Sequence, residues 1–480
     1  ANRIKRNIYT AIHTFPGPFE YTITVEDPNR NQGILNIPRS VTVPFFIATN
    51  LRIDQIAGSS TSPILTNPPI DQGCVNVPFE HNPGAYDPDG DSLSYALSVC
   101  FTTGGQVVAG YVLPNEFDPG PNNNLSVDPV TGTVLWDAPT AVNNPNGGPD
   151  LYNLCFRIDE WRNGIRIGSV LRDMQIAIEN CNNQPPVIQP LDEICVLAGD
   201  LIEVPVNAID LNGDRVELSA SGEPFEVASS PALFPNTPLS NPVSQVFRWQ
   251  TNCDHVRNQP YQAVFKATDD NSVVQLADFE ALRIRIISLP PKNPGAQPTG
   301  NAITLTWDPV SCTNATGYKV YRRIDSIGFV PDSCQPGVPE STGYVKIATV
   351  EGAETGSFVD NNGGLGLVHG QRYCYLLVAC FPGGGESIAS EEFCAELIRD
   401  RPVMTRVSVE ATDVRAGRMH VEWARPTEID TLSAFPGPYR YNIYRTTDRS
   451  AGFTFVAQTS ASATLFQSET MYLDTNLNTR

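Results

Sequence analysis

The chain has 480 residues, with 36 glycines, 41 prolines and only 18% charged side chains, a composition of many short strands joined by turns rather than of long helices. Its net charge of −20 excludes a nucleic-acid surface, which needs clustered Lys and Arg to displace counterions, and suits divalent cations or solubility in salt. No run of about 18 apolar residues occurs, so no membrane-spanning segment is expected, and eleven cysteines without a C-x-x-C pair point to disulfides in an extracellular, oxidising compartment.

Residues 1–60 carry three β-runs, at 19–27, 33–37 and 40–47. The first matches runs at 152–159 and 261–269, each a strand ending in Asp late in a module, so residues 1–60 are expected to be the second half of a module. Residues 61–182 and 183–289 form the next two, joined by the stiff linker Asn182-Asn183-Gln184-Pro185-Pro186. Their shared mark is an acidic turn between two strand runs, Tyr86-Asp87-Pro88-Asp89-Gly90-Asp91 in one and Asp210-Leu211-Asn212-Gly213-Asp214 in the other. Glycine there supplies a positive φ, and Asp or Asn accepts local backbone N–H groups. Thr133-Val134-Leu135-Trp136 recurs as Gln245-Val246-Phe247-Arg248-Trp249, which makes one repeat with variable loops.

A second repeat follows. Ile303-Thr304-Leu305-Thr306-Trp307, Tyr318-Lys319-Val320-Tyr321-Arg322 and Phe358-Val359-Asp360 return as Met419-His420-Val421-Glu422-Trp423, Tyr441-Asn442-Ile443-Tyr444-Arg445 and Tyr472-Leu473-Asp474. No counterpart of the 371–399 strands follows in the second copy, so residues 400–480 are expected to be an incomplete module.

The 61–182 and 183–289 modules resemble dystroglycan-type cadherin-like, immunoglobulin-fold domains of bacterial surface proteins, through the turn Asp87 to Tyr95 and the stretch Asp128-Pro129-Val130-Thr131-Gly132-Thr133-Val134-Leu135-Trp136. The later module departs, with Asn212 in place of Asp and no Asp/Thr-Gly before Trp249. Residues 290–399 resemble fibronectin type III, with Trp307 implied as the buried tryptophan of the B strand. With His13-Thr14-Phe15-Pro16-Gly17-Pro18 and Asp27-Pro28-Asn29-Arg30-Asn31 included, nearly the whole chain resembles gliding motility-associated surface proteins of Bacteroidetes-type bacteria. That resemblance implies export by the type IX secretion system, guided by a C-terminal domain outside this chain. The expected fold is therefore all-β, an extended tandem array of immunoglobulin-like and fibronectin type III β-sandwiches.

Asp87, Asp89 and Asp91 place three carboxylates on one turn, and hard oxygens at alternate positions are what calcium needs. Asp159 or Glu160 on the late strand would add a further oxygen, and Asp210 with Asp214 repeats the arrangement. Expected disulfides are Cys195–Cys253, Cys374–Cys394, Cys312–Cys334 and, among three connectivities of the second module, Cys100–Cys155 with Cys74–Cys181. Cys380 is left over as a buried thiol. Asp91-Ser92-Leu93, Asp325-Ser326-Ile327 and Asp430-Thr431-Leu432 resemble the O-glycan acceptor motif of such exported proteins, on Ser92, Ser326 and Thr431.

No catalytic motif is present. The five histidines are scattered, and Cys253-Asp254-His255 places neighbours on opposite faces of any strand. The expected function is that of a secreted, cell-surface structural or adhesive protein, linked to motility, that meets other surface proteins, copies of itself or surface polysaccharide. Two alternatives are a filament protomer assembled through incomplete terminal modules and the non-catalytic polysaccharide-binding region of a secreted enzyme.

Overall fold

A computed structural model describes residues 7–53, 58, 60–120, 122–140, 148–398, 400–427, 437–447, 450 and 452–480. The chain divides into two compact units, Ala1–Ser288 with Phe381–Glu386, and Leu289–Cys380 with Ser387–Arg480. Both are built of short β-sheets, as the alternating runs dictate.

In the first unit, a sheet runs in the order Phe19–Asp27, Phe45–Ile53, Ile165–Glu179, Asp150–Arg162, Ser92–Ser98, with Ile70–Cys74 pairing parallel to the far end of Ile165–Glu179. A three-stranded sheet of Leu125–Val127, Val134–Trp136 and Phe79–His81 belongs to the same module. The module's core contains Trp136, Tyr152, Phe156, Ile158 and Ile176, all fully buried. Trp136 meets Tyr152 edge-on at 5.1 Å and donates from Nε1 to Asn123 Oδ1 at 2.5 Å, so the indole is both packed and satisfied.

The Phe19–Asp27 and Phe45–Ile53 strands do not form a sheet of their own. Leu51, Asn50 and Thr49 pair with Gly168, Ser169 and Val170, which adds the Phe19–Asp27 and Phe45–Ile53 strands to the second module's sheet. Ile34 and Ile37 join Cys100, Val108 and Cys155 in a second, smaller core. Arg30 reaches a buried ion pair with Asp173 at 2.6 Å and donates to the Phe101 carbonyl at 2.8 Å. A strand's alternation shows that it has an apolar face but not whose edge it will join, which is why the expected boundary near residue 60 fails.

The 183–289 module packs a sheet of Val187–Ile188, Leu201–Ile209 and Val243–Gln250 with one of Ile194–Leu197, Ala277–Ile287, Tyr261–Asp269 and Val216–Gly222, around fully buried Trp249, Phe247 and Phe265. It shares apolar contacts with its predecessor. Cys74 and Val77 of one cluster with Val274 and Leu276 of the other, and Gln262 donates to the Thr131 carbonyl at 2.8 Å.

The second unit begins with a sandwich of three strands (Lys292–Thr299, Ala302–Asp308, Ser357–Asp360) and four (Val345–Glu351, Gly317–Ile324, Arg372–Cys380, Phe393–Glu396). Trp307 is buried and contacts Tyr318 at 5.4 Å. Residues 403–477 repeat the three-stranded sheet as Val403–Ala411, Gly417–Ala424 and Met471–Leu477, beside a hairpin of Asn442–Arg445 and Thr454–Gln458. The repeat extends to electrostatics: Arg322 pairs with Asp360 at 3.0 Å, and Arg445 with Asp474 at 2.8 Å.

Disulfides join Cys74 to Cys181, Cys100 to Cys155 and Cys374 to Cys394. Cys195 is not joined to Cys253. The first lies on the Ile194–Leu197 strand of the four-stranded sheet, the second in a turn after the Val243–Gln250 strand of the other sheet. Cys312 is not joined to Cys334 either, since Cys312 is buried while Cys334 carries an exposed thiol on a loop. Cys100 and Cys155 are fully buried and 55 residues apart in sequence. Replacing both with Ala is expected to destabilise the first unit by about 3–4 kcal/mol in denaturant unfolding; a loss under about 1 kcal/mol would show that packing alone holds that core.

Candidate cation sites

In the second module, Gly90 takes φ +80° and the turn folds back on Asp87, whose Oδ1 accepts the Asp89 and Asp91 amides at 2.9 and 3.1 Å. Asp87 is thereby drawn inward, to 3% exposure. The strand that follows pairs with Asp150–Arg162, placing Leu93 opposite Glu160 and Ser94 opposite Asp159. Successive residues face opposite sides of a strand, so only one of these two acids can reach the turn.

That acid is Glu160. Asp87, Asp91 and Glu160 each offer a carboxylate oxygen within 4.8 Å of the others. Asp159, expected as a ligand, lies on the other face, held by Arg157 at 2.9 Å and Arg166 at 3.3 Å. Asp89 also falls outside, accepting the Thr61 amide at 2.5 Å. Asp87 Oδ2 and Glu160 Oε2 are buried with no hydrogen-bond partner among the described residues. Burial, reinforced by the neighbouring carboxylates, pushes Glu160 up to about 7 and Asp87 up to about 6. Arg162 offsets part of that charge by gripping Asp91 through Nε at 2.8 Å and NH2 at 2.5 Å.

The third module repeats the geometry. Gly213 takes φ +98°, and Asp210 Oδ1 accepts the amides of Asn212, Gly213 and Asp214 at 3.0, 2.8 and 3.1 Å. The register places Val216 opposite Asp269, and Asp210, Asp214 and Asp269 form the cluster. Asp269 escaped the sequence reading. The signal for it was the position six residues past the first turn Asp, which pairs with the acid in both modules: Leu93 with Glu160, Val216 with Asp269.

Two differences favour the third cluster as a cation site. Among the described residues no Arg or Lys pairs with its carboxylates, because Arg215 turns instead to Asp270 at 2.5 Å. The linker also enters it. Asn183 donates to Asp269 Oδ2 at 2.6 Å and accepts from Asn212 at 2.8 Å, while Asn271 donates to Asp214 at 2.9 Å. Asn212 in place of Asp costs the site nothing, since the equivalent Asp89 is not in the cluster of its own module. Asp210 Oδ2 is buried and has no hydrogen-bond partner among the described residues, and burial pushes the Asp269 carboxyl up. The three converging carboxylates supply hard oxygens of the kind calcium takes, while the amides of Asn183, Asn212 and Asn271 meet them with N–H groups.

A third grouping, Cys100, Cys155 and Asp173, cannot ligate a metal because its sulfurs form a disulfide. His255 beside Cys253 is a turn residue: its Nδ1 accepts the Asn252 amide at 3.1 Å and its Nε2 bonds the Ser229 carbonyl at 2.7 Å. Of the expected glycan acceptors, Ser92 donates to the Trp161 carbonyl at 3.2 Å and Ser326 donates to Glu392. Thr431 lies outside the described residues.

The sheets and their pairings define an all-β protein of tandem immunoglobulin-like and fibronectin type III sandwiches. No protein-family model matches the chain, and no curated protein matches it significantly. Solved structures similar to it include titin domains A168–A170 (11% identity, TM-score 0.21, covering 70% of this chain and 99% of that one) and a two-domain fibronectin type III segment of chicken tenascin (15%, 0.22, 41% and 94%). Another is the sialic acid-binding region of a Streptococcus sanguinis SK1 adhesin (12%, 0.20, 52% and 93%). Disulfides such as Cys74–Cys181, Cys100–Cys155 and Cys374–Cys394 fit a secreted protein. No helix among the described residues is long and apolar enough to cross a membrane.

Proposed function

We propose that the chain is a modular structural or adhesive protein of the cell surface, in which calcium braces the junction between the second and third modules. The observation that carries this is the junction itself. The modules share a small apolar core, and the linker residue Asn183 is bonded into the Asp210, Asp214 and Asp269 cluster. An ion there would tie the linker to the third module and hold two sandwiches as one lever. Motility association and type IX export rest on the sequence resemblance, and export lost in a strain lacking that secretion system would support them.

Calcium at a hundredfold excess over its Kd is expected to stabilise the first unit by about 2.7 kcal/mol, a rise of about 5–10 °C in Tm. Asp214→Asn and Asp269→Asn should abolish the rise, and Asp89→Asn should leave it intact. A Tm indifferent to calcium and to chelator would remove the bracing. The adhesive part has its own test: beads coated with the protein should be retained under flow on polysaccharide-coated glass, and retention no better than with albumin would leave a spacer only.

A further inference from the structure

The outer face of the first unit's large sheet carries a feature that the cation clusters do not use. One row of side chains crosses five strands in register: Thr22 opposite Asn50, Asn50 opposite Ser169, Ser169 opposite Asp159 and Asp159 opposite Ser94. The row is oriented by its own hydrogen bonds. Thr22 Oγ1 donates to Asn50 Oδ1 at 2.7 Å, Asn50 Nδ2 donates to Ser169 Oγ at 3.2 Å, and Trp161 Nε1 donates to Ser94 Oγ at 2.8 Å.

The small core of Ile34, Ile37, Cys100, Val108 and Cys155 covers one end of this face and leaves the other open. In the open part is a cavity of about 290 Å³, close to the lower end of ligand pockets. Its lining is amphipathic. Phe46 and Phe101, with ring centroids 6.3 Å apart, and Leu171 are its apolar lining, and Asn50, Ser169 and Arg157 its polar lining. Arg157 uses only Nε on Asp159, at 2.9 Å to both oxygens, and its terminal amino groups make no hydrogen bond among the described residues. Arg166 shares Asp159 at 3.3 Å and lies 3.7 Å from Glu20. Two guanidiniums thus share one buried carboxylate, which leaves the terminal amino groups of Arg157 as donors for an anion.

We propose that this groove binds an acidic polysaccharide through a uronate residue, its carboxylate on the free amino groups of Arg157, its hydroxyls on Asn50 and Ser169, and a C–H face on Phe101. Each part matches the chemistry of such a sugar. A guanidinium takes a carboxylate in a planar fork, preoriented amide and hydroxyl groups exchange hydrogen bonds with sugar hydroxyls at little entropic cost, and the apolar side covers the C–H surface. The inference rests on the adhesive reading and names its ligand.

The test is calorimetric titration of the full chain with hexasaccharides of galacturonate and of mannuronate, beside their neutral methyl esters. At least one acid form should bind, with its ester at least tenfold weaker. Arg157→Gln should erase that preference, and Asn50→Ala should weaken acid and ester alike, with Tm unchanged in both variants. No binding of either acid hexasaccharide, or binding that Arg157→Gln leaves unaltered, would overturn the assignment. The flow assay separates the two claims: Arg157→Gln beads retained like wild type sink the groove and keep the adhesive reading, whereas wild-type beads that fail to stick sink the adhesive reading itself.

Discussion

Arg30→Met is expected to cost the first unit about 3–5 kcal/mol, because it strands a buried charge. Both side chains of the Arg30–Asp173 pair are 1% exposed, and among the described residues the other partner of the Asp173 carboxylate is Asn153, which donates at 2.6 Å. Burial already pushes Asp173 up to about 6 against the pull of Arg30. Without the guanidinium, the carboxyl must either take a proton or sit charged in an apolar surround. Arg30→Met combined with Asp173→Leu should recover most of the loss, since a well-packed apolar pair can replace a buried ion pair. Urea unfolding of the four proteins in this cycle measures it. A single-mutant loss under about 1 kcal/mol would mean that the N-terminal strands are an appendage to the second module rather than part of it.

The second large effect is a pH dependence at the junction of the second and third modules. Glu80, on the Phe79–His81 strand, and Asp278, on the Ala277–Ile287 strand, are hydrogen-bonded carboxyls from different modules. Burial first, then the charge of Asp278, pushes Glu80 up to about 7, while burial raises Asp278 as well and the Ile188 amide donates to it at 2.6 Å. The folded protein therefore keeps a proton that the unfolded chain, whose glutamate titrates near 4.5, has released. Folded-state proton binding exceeds that of the unfolded state across this window, so stability from this pair is present below pH 4.5 and falls as pH rises towards 7.

His81 slopes the other way. It is buried, lies 3.2 Å from Asp71 and is pushed down by burial, so its neutral form favours folding as pH rises through 6.5. Lys266, Arg172 and Glu280 complete the charged surround. The difference between wild type and Glu80→Gln isolates the pair from all of these. Glu80→Gln keeps a donor for Asp278 without the second charge, and should be neutral at pH 5 and stabilising by on the order of 2 kcal/mol at pH 8. Equal stabilities of the two proteins from pH 5 to 8, in calcium-free denaturant titrations, would show that the carboxyls do not share a proton.

What the sequence determined by itself was local. Alternating runs such as 261–269 set strands, the Gly90 and Gly213 turns set tight reversals that bring Asp87 next to Asp91 and Asp210 next to Asp214, and the recurring tryptophans set the module repeat. These follow from spacing within a few residues, where backbone geometry leaves little choice. Only the tertiary structure decided the rest. It chose Glu160 over Asp159, because strand pairing fixes which of two adjacent acids faces the turn. It supplied Asp269 and Asn183 from 55 residues after and 27 before Asp214 and Asp210. It gave the Phe19–Asp27 and Phe45–Ile53 strands to the second module through the Leu51–Gly168 register and the Arg30–Asp173 pair, and it left Cys195 and Cys253 on separate elements. Partner choice between distant strands depends on which apolar faces and buried charges can be satisfied together, and that is a property of the packed chain rather than of any single run.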